Sequence, residues 1–117
     1  RVIEDNIRVA LEKGACCTVI PSTDTPLMSE SGGAIDRTLP RRCVYLSQTP
    51  QSFRFGLIFA AHRQVPLDLA DVTDDCALAL AAGHEVALVS GERELMKITH
   101  PQDMAIASVF LKAYSEE

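Results

Sequence analysis

A chain of 117 residues with 47% apolar and 23% charged residues holds enough apolar material for a core, and its length allows one small domain or part of a larger one. The formal net charge of −5 removes the overall attraction on which non-specific nucleic-acid binding rests, so no nucleic-acid partner is expected. No apolar run approaches the ~20 residues that cross a bilayer, and with two tyrosines, four phenylalanines and no tryptophan any core is mostly aliphatic.

The first amphipathic segment opens at the chain start. Val2, Ile3, Ile7, Ala10 and Leu11 recur at helical spacing, with Glu4, Asp5, Arg8, Glu12 and Lys13 between them, and Gly14 supplies a stop. The chain opens on Arg1 rather than methionine, and this helix has no preceding cap, so the natural domain is expected to start earlier. Ala15–Ile20 is a short, almost unbroken apolar run ended by Pro21 and reads as a strand buried on both faces. The polar turn Ser22–Thr23–Asp24–Thr25–Pro26 leaves the carboxyl end of that strand, where open α/β sheets hold their ligands.

Residues 27–46 read as a hairpin excursion with Gly32–Gly33 near its tip and Arg37, Arg41 and Arg42 as a local basic cluster. The amphipathic signal is weak for a core element, so a projecting ribbon is expected; such ribbons are marginally stable alone and tend to find a partner surface. Thr49 is read as an N-cap with Pro50 as the first helical residue, and Phe53, Leu57, Ile58, Ala60 and Ala61 as the apolar face that follows. Gln64–Asp68 breaks that pattern. Thr73 is read as the cap of the next helix, with Asp74 and Asp75 at its positive end and Cys76, Leu78, Ala79, Leu80 and Ala82 packing it until Gly83. Glu85–Val89 reads as a strand, Ser90–Arg93 as a turn and Leu95–Ile98 as a very short strand. Pro101 opens a last helix that is apolar on more than one face and is expected to be largely buried.

Alternating helices and short apolar strands indicate α/β architecture with a mostly parallel sheet. Two or three strands with four helices leave broad apolar surfaces uncovered, which favours a partial domain. Cys16, Cys17, Cys43 and Cys76 contain no Cys-x-x-Cys pair, and His62, His84 and His100 add no metal-ligand spacing. The cysteines are read as reduced, with Cys16, Cys17 and Cys76 packing as small apolar residues.

Each polar cluster is ambiguous by itself. Thr-Pro and Thr-Asp-Asp are ordinary helix starts, Asp24–Thr25 fits a simple Asx-type turn, and Lys97 fits either a snorkelling surface lysine or a phosphate point charge. In order, however, Pro21, Asp24–Thr25, Thr38, Arg41, Gln48–Thr49–Pro50–Gln51, Phe53, Thr73–Asp74–Asp75, Gly83, Gly91, Lys97–Ile98–Thr99 and Pro101 with Asp103 resemble the carboxyl-terminal half of the 2-C-methyl-D-erythritol 4-phosphate cytidylyltransferase family. The resemblance covers essentially all 117 residues.

It implies that residues 1–117 are the carboxyl-terminal half of one Rossmann-like nucleotidyltransferase domain, with flanking helices and a projecting substrate and dimerisation arm at 22–46. The implied reaction joins CTP to methylerythritol phosphate and releases pyrophosphate, in non-mevalonate isoprenoid synthesis. Carried over, Asp24, Thr25, Arg41, Thr49, Thr73 and Lys97 bind the sugar-alcohol phosphate, and Lys97 and Arg41 act in catalysis, Arg41 across a homodimer interface. Mg²⁺ is implied with ligands mainly outside this chain, and the compartment implied is cytoplasmic, or plastid in a plant or alga. The chain departs from the family at Pro40, where an aspartate usually precedes the arginine, and at Pro26–Leu27, and it contains no glycine-rich loop of the kind that grips CTP. The readings set against this one are a ribitol-5-phosphate cytidylyltransferase and a non-catalytic dimerisation or sugar-phosphate-binding fragment.

Overall fold

The Ala15–Pro21 strand, β1, is the axis around which the other elements are placed. The computed structural model describes residues 1–66 and 72–116; Leu67 and Asp68, the end of the expected break after the second helix, lie outside them. Helix α1 spans Val2–Lys13 and is followed by β1, the short strands β2 (Leu27–Met28) and β3 (Arg37–Thr38), and the long strand β4 (Tyr45–Phe53). Helices α2 (Phe55–Gln64) and α3 (Asp75–Ala81), strand β5 (Ala87–Ser90) and helix α4 (Pro101–Ser115) complete the order. The sheet runs β4-β1-β5, antiparallel between β1 and β4 and parallel between β1 and β5. It is therefore α/β as expected, but with a mixed sheet rather than a mostly parallel one, because β4 lies antiparallel beside β1. No helix among the described residues is long and apolar enough to cross a membrane.

Residues Ala15 to Val19 are all buried, as a strand covered on both faces requires. The cysteines pack as expected: Cys16, Cys17 and Cys76 are buried and all four are free thiols. Burial pushes the Cys16 and Cys76 thiols up, and the neighbouring Cys17 adds to the rise at Cys76, which keeps both protonated and apolar in character. A polar thread crosses this core. The fully enclosed Asn6 donates from Nδ2 to the Val2 carbonyl at 2.9 Å and to Thr18 Oγ1 at 2.8 Å, while its Oδ1 accepts from Ser52 Oγ at 3.1 Å. Thr18 Oγ1 in turn donates to the Pro50 carbonyl at 2.7 Å, so α1, β1 and β4 are held by one hydrogen-bonded chain.

Four local expectations from the sequence are not met. Thr49 does not cap a helix, and Pro50 is not a first helical residue: both lie within β4, and α2 begins only at Phe55 after Arg54. The cue was local, whereas the pairing that overrides it is long-range. Cys17 pairs with Gln51 and Val19 with Ser47, so β4 inserts Gln48, Thr49 and Pro50 opposite Thr18 as a bulge. Arg54 then turns the chain, its backbone N–H donating to the Gly14 carbonyl at 2.8 Å and its guanidinium to the Leu11 carbonyl at the end of α1.

Asp74, not Thr73, caps α3: its Oδ1 accepts from the Ala77 N–H at 2.8 Å. Leu95–Ile98 forms no strand. Helix α4 forms where expected, but none of its residues is buried. On α1 and α3 only part of the expected apolar face is covered. Val2, Asn6 and Ala10 face the sheet, while Ile3, Ile7 and Leu11 form an outward stripe, and on α3 Cys76, Leu78 and Ala79 are buried while Leu80 is exposed. Uncovered large apolar residues thus remain on α1, α3 and α4.

A hairpin forms, but shorter than the 27–46 excursion expected: Arg41–Cys43 make a 3-10 turn, and Tyr45–Leu46 belong to β4, whose pairing with β1 claims them. Strand β2 pairs antiparallel with β3, Leu27 opposite Thr38 and Met28 opposite Arg37, with Gly32 at φ +74° in the connecting loop. Every residue from 27 to 38 is exposed.

Candidate functional site

A cleft of ≈ 670 Å³ opens at the carboxyl ends of β1 and β5. One wall is β4 through Leu46, Ser47, Gln48, Thr49 and Gln51; a second is the entry to α3 through Thr73, Asp74 and Asp75; the third is the loop after β5, through Arg93, Leu95, Met96 and Lys97. Three residues expected from the sequence, Thr49, Thr73 and Lys97, thus come together from segments that are far apart in the chain.

The wall between β4 and α3 is fastened by Gln51. Its Nε2 donates to Ser47 Oγ at 3.1 Å and to Asp74 Oδ2 at 3.0 Å, and its Oε1 accepts from the Cys76 N–H at 3.3 Å. Because Asp74 also caps α3, one amide sets the position of the helix start against the strand. His62 Nε2 lies 3.3 Å from Asp75 Oδ1, so that carboxylate has a partner on α2.

The third wall is fastened at its base. The Gly91 N–H donates to the Val19 carbonyl at 2.8 Å, and Gln48 Nε2 donates to the Glu92 carbonyl at 2.8 Å. At Gly91 the Gln48 side chain approaches so closely that any Cβ would overlap it. The far end of this loop is tied to α4. Asp103 Oδ2 accepts from the Thr99 N–H at 3.0 Å and the His100 N–H at 2.9 Å, a cap that places Lys97 two residues before its anchor. An apolar groove of ≈ 420 Å³, lined by Leu95, Met96, Ile98, Phe110 and Leu111 among others, separates the loop from α4 on its other side.

These two N–H donors hold the Asp103 carboxyl below its ordinary value of 3.8. A depressed folded pKa contributes stability that is complete above the ordinary carboxylate range and is lost as pH falls through the depressed value. The amide resonances of Thr99 and His100 are therefore expected to titrate with a midpoint below 3.8, and Asp103→Asn should abolish that titration at every pH. Amide shifts that titrate at or above the ordinary value would refute the cap.

The remaining predicted residues do not line the cleft. Asp24, Thr25 and Arg41 are positioned at the base of the hairpin, beyond the end of β1. The Arg41 Nη1 donates to the Thr23 carbonyl at 3.2 Å, and Ser22 Oγ donates to the Asp24 carbonyl at 3.1 Å, so this second cluster organises its own turn. Arg93 was not singled out by sequence reasoning; it belongs to a turn in which one arginine carries no distinguishing pattern.

Residues 1–113 match the family described as 2-C-methyl-D-erythritol 4-phosphate cytidylyltransferase. The chain is 35% identical over 116 residues to the protein of that name from Geotalea uraniireducens, covering 99% of this chain and 49% of that protein. It is 39% identical over 109 residues to the Thermus thermophilus protein, covering 93% and 51%. Among solved structures, the enzyme of that name from Thermus thermophilus superposes with a TM-score of 0.78 at 37% identity, covering 94% of this chain and 54% of that one. The 4-diphosphocytidyl-2C-methyl-D-erythritol synthase of Anaerococcus prevotii superposes with a TM-score of 0.83 at 30% identity, covering 94% and 51%. The chain thus spans about half the length of these relatives. With the ordered motifs, the α/β fold and the family match over nearly its whole length, the chain belongs to the 2-C-methyl-D-erythritol 4-phosphate cytidylyltransferase family.

Proposed function

We propose that this chain is the carboxyl-terminal half of a cytidylyltransferase domain and supplies its acceptor side. The reaction joins the cytidylyl group of CTP to methylerythritol phosphate. A phosphate oxygen of the acceptor attacks the α-phosphorus of CTP, the bond from that phosphorus to the bridging oxygen breaks, and pyrophosphate leaves. Side chains do little covalent work in such a transfer; they position and neutralise crowded anions. The observation that carries this reading is the cleft that gathers Thr49, Thr73 and Lys97. In it, the two hydroxyls orient the acceptor, and the Lys97 ammonium neutralises phosphate charge as the new bond forms.

Asp24, Thr25 and Arg41 belong to the arm, and we assign them to a cleft completed by a second copy, with Arg41 meeting the acceptor phosphate across a homodimer. Their place outside the cleft of their own chain supports that assignment. Mg²⁺, which the family implies, finds no set of ligands here. Among the described residues no three His, Cys, Asp or Glu side chains are grouped for a metal, and both Asp74 oxygens already accept hydrogen bonds. The ion's ligands, and the groups that grip CTP, are assigned to residues outside this chain, and no step is routed through the ion.

The test is pyrophosphate release from CTP by the full-length protein that carries this chain. Turnover with methylerythritol phosphate is expected. Turnover with ribitol phosphate alone would move the protein to the sister activity, and failure with both would overturn the reading.

A further inference from the structure

The loop after β5 has the build of a presenting turn. Leu95 N–H donates to the Glu92 carbonyl at 3.1 Å, which closes a turn over residues 92–95 with Arg93 as its second residue. Glu92 is held from several sides. Its carbonyl also accepts from Gln48, Arg1 Nη2 lies 2.8 Å from its Oε1, and the Tyr114 hydroxyl lies 3.4 Å from its Oε2. Of the two carboxylates adjacent in sequence to Arg93, that of Glu92 is thus engaged elsewhere, and that of Glu94 forms no ion pair with it.

Arg93 itself makes no hydrogen bond, ion pair or ring contact among the described residues, and the same holds for Lys97. Both line the same cleft from the same loop. A guanidinium on an anchored backbone, facing a cleft without a protein counter-ion, is suited to a phosphate, whose oxygens accept two of its N–H donors at once. Asp74 and Asp75, on the facing wall, are each tied to their own partners.

We propose that Arg93 is a further phosphate-binding cation of the acceptor site, gripping the acceptor's phosphate beside Lys97 and in addition to the Arg41 that a second copy brings. This rests on the acceptor-side reading given above. Arg93 acts on binding: its guanidinium holds the phosphate in the ground state as well as during transfer, so removal raises KM and spares kcat.

In the full-length protein, Arg93→Ala is expected to raise KM for methylerythritol phosphate roughly tenfold, the scale of one charge-assisted hydrogen-bond pair, with kcat and KM for CTP nearly unchanged. Arg93→Lys, which keeps the charge but not the fork, should recover part of the loss. An unchanged acceptor KM in Arg93→Ala, or a rise confined to CTP, would overturn the assignment. Ribitol phosphate replaces the acceptor if it alone is turned over. If neither is, the functional reading fails, and titration calorimetry with inorganic phosphate still decides Arg93: weaker binding by Arg93→Ala than by the parent supports it, and equal binding or none rejects it.

Discussion

Replacing Lys97 by alanine in the full-length protein is expected to lower cytidylyl transfer by roughly 10²–10³-fold, the loss seen when one preorganised group is removed from a developing negative charge. The folded structure should survive. Lys97 is exposed, forms no bond that holds the loop, and sits between two anchors that the substitution leaves in place, Gln48 on Glu92 and Asp103 on Thr99 and His100. Pyrophosphate release at saturating CTP and acceptor measures the first effect and circular dichroism the second. Near-normal turnover would make Lys97 a surface lysine and displace the site. The contrast with Arg93 is informative because the two cations share a loop and a cleft. Loss of kcat at Lys97 beside loss of acceptor affinity at Arg93 would divide neutralisation of the transferring phosphate from capture of the acceptor.

A second large effect is expected at a residue that touches no ligand. A Cβ on Gly91 would overlap Gln48 Oε1 and lie 2.8 Å from Thr18 Cγ2. The Gln48 amide could swing aside only by giving up its bond to the Glu92 carbonyl. The Thr18 methyl cannot follow, because Thr18 is fully buried and its hydroxyl is bonded to both Asn6 and the Pro50 carbonyl. Gly91→Ala should therefore cost about 1–3 kcal/mol, the range for overpacking a filled interior. It should also slacken the loop that carries both cations. Urea unfolding measures the first effect, and a midpoint equal to that of the parent would show that the neighbours relax freely.

Elements whose cues are local and agree with their surroundings could be read directly from the residues. The buried run at Ala15–Val19, the Gly32–Gly33 hairpin, the stop at Gly14 and the proline opening α4 belong to this group. The misread stretch, Gln48 to Phe53, contains a good local signal for a helix start, and pairing with β1 outweighs it. Strand pairing at long sequence separation leaves no trace at the paired residues themselves, and a bulge hides the alternation that would reveal it. Burial of α4 was misjudged for a related reason: composition reports that a face is apolar, not that a partner covers it. Of the residues that present a hydroxyl or a charge to the cleft, Thr49, Thr73 and Lys97 stood out in the sequence and Arg93 did not, and the residues that fasten its walls carried no cue to that role. Gln51 enters the sequence only as the last member of the Gln48–Thr49–Pro50–Gln51 motif beside an expected helix start, yet it joins Ser47, Asp74 and the first turn of α3.

Strand β1 has a consequence for how this site can vary. Val19 pairs with Ser47 on one side and Ser90 on the other, so the β4 wall and the base of the cation-bearing loop are indexed to the same residue. Two inter-strand spacings set Ser47 and Ser90 about 9.5 Å apart. That gauge is made of main-chain bonds and is indifferent to the side chains on either wall. Substitutions at Thr49, Arg93 or Lys97, whose side chains make none of the bonds that fasten the walls, can therefore change the lining while the aperture keeps its width.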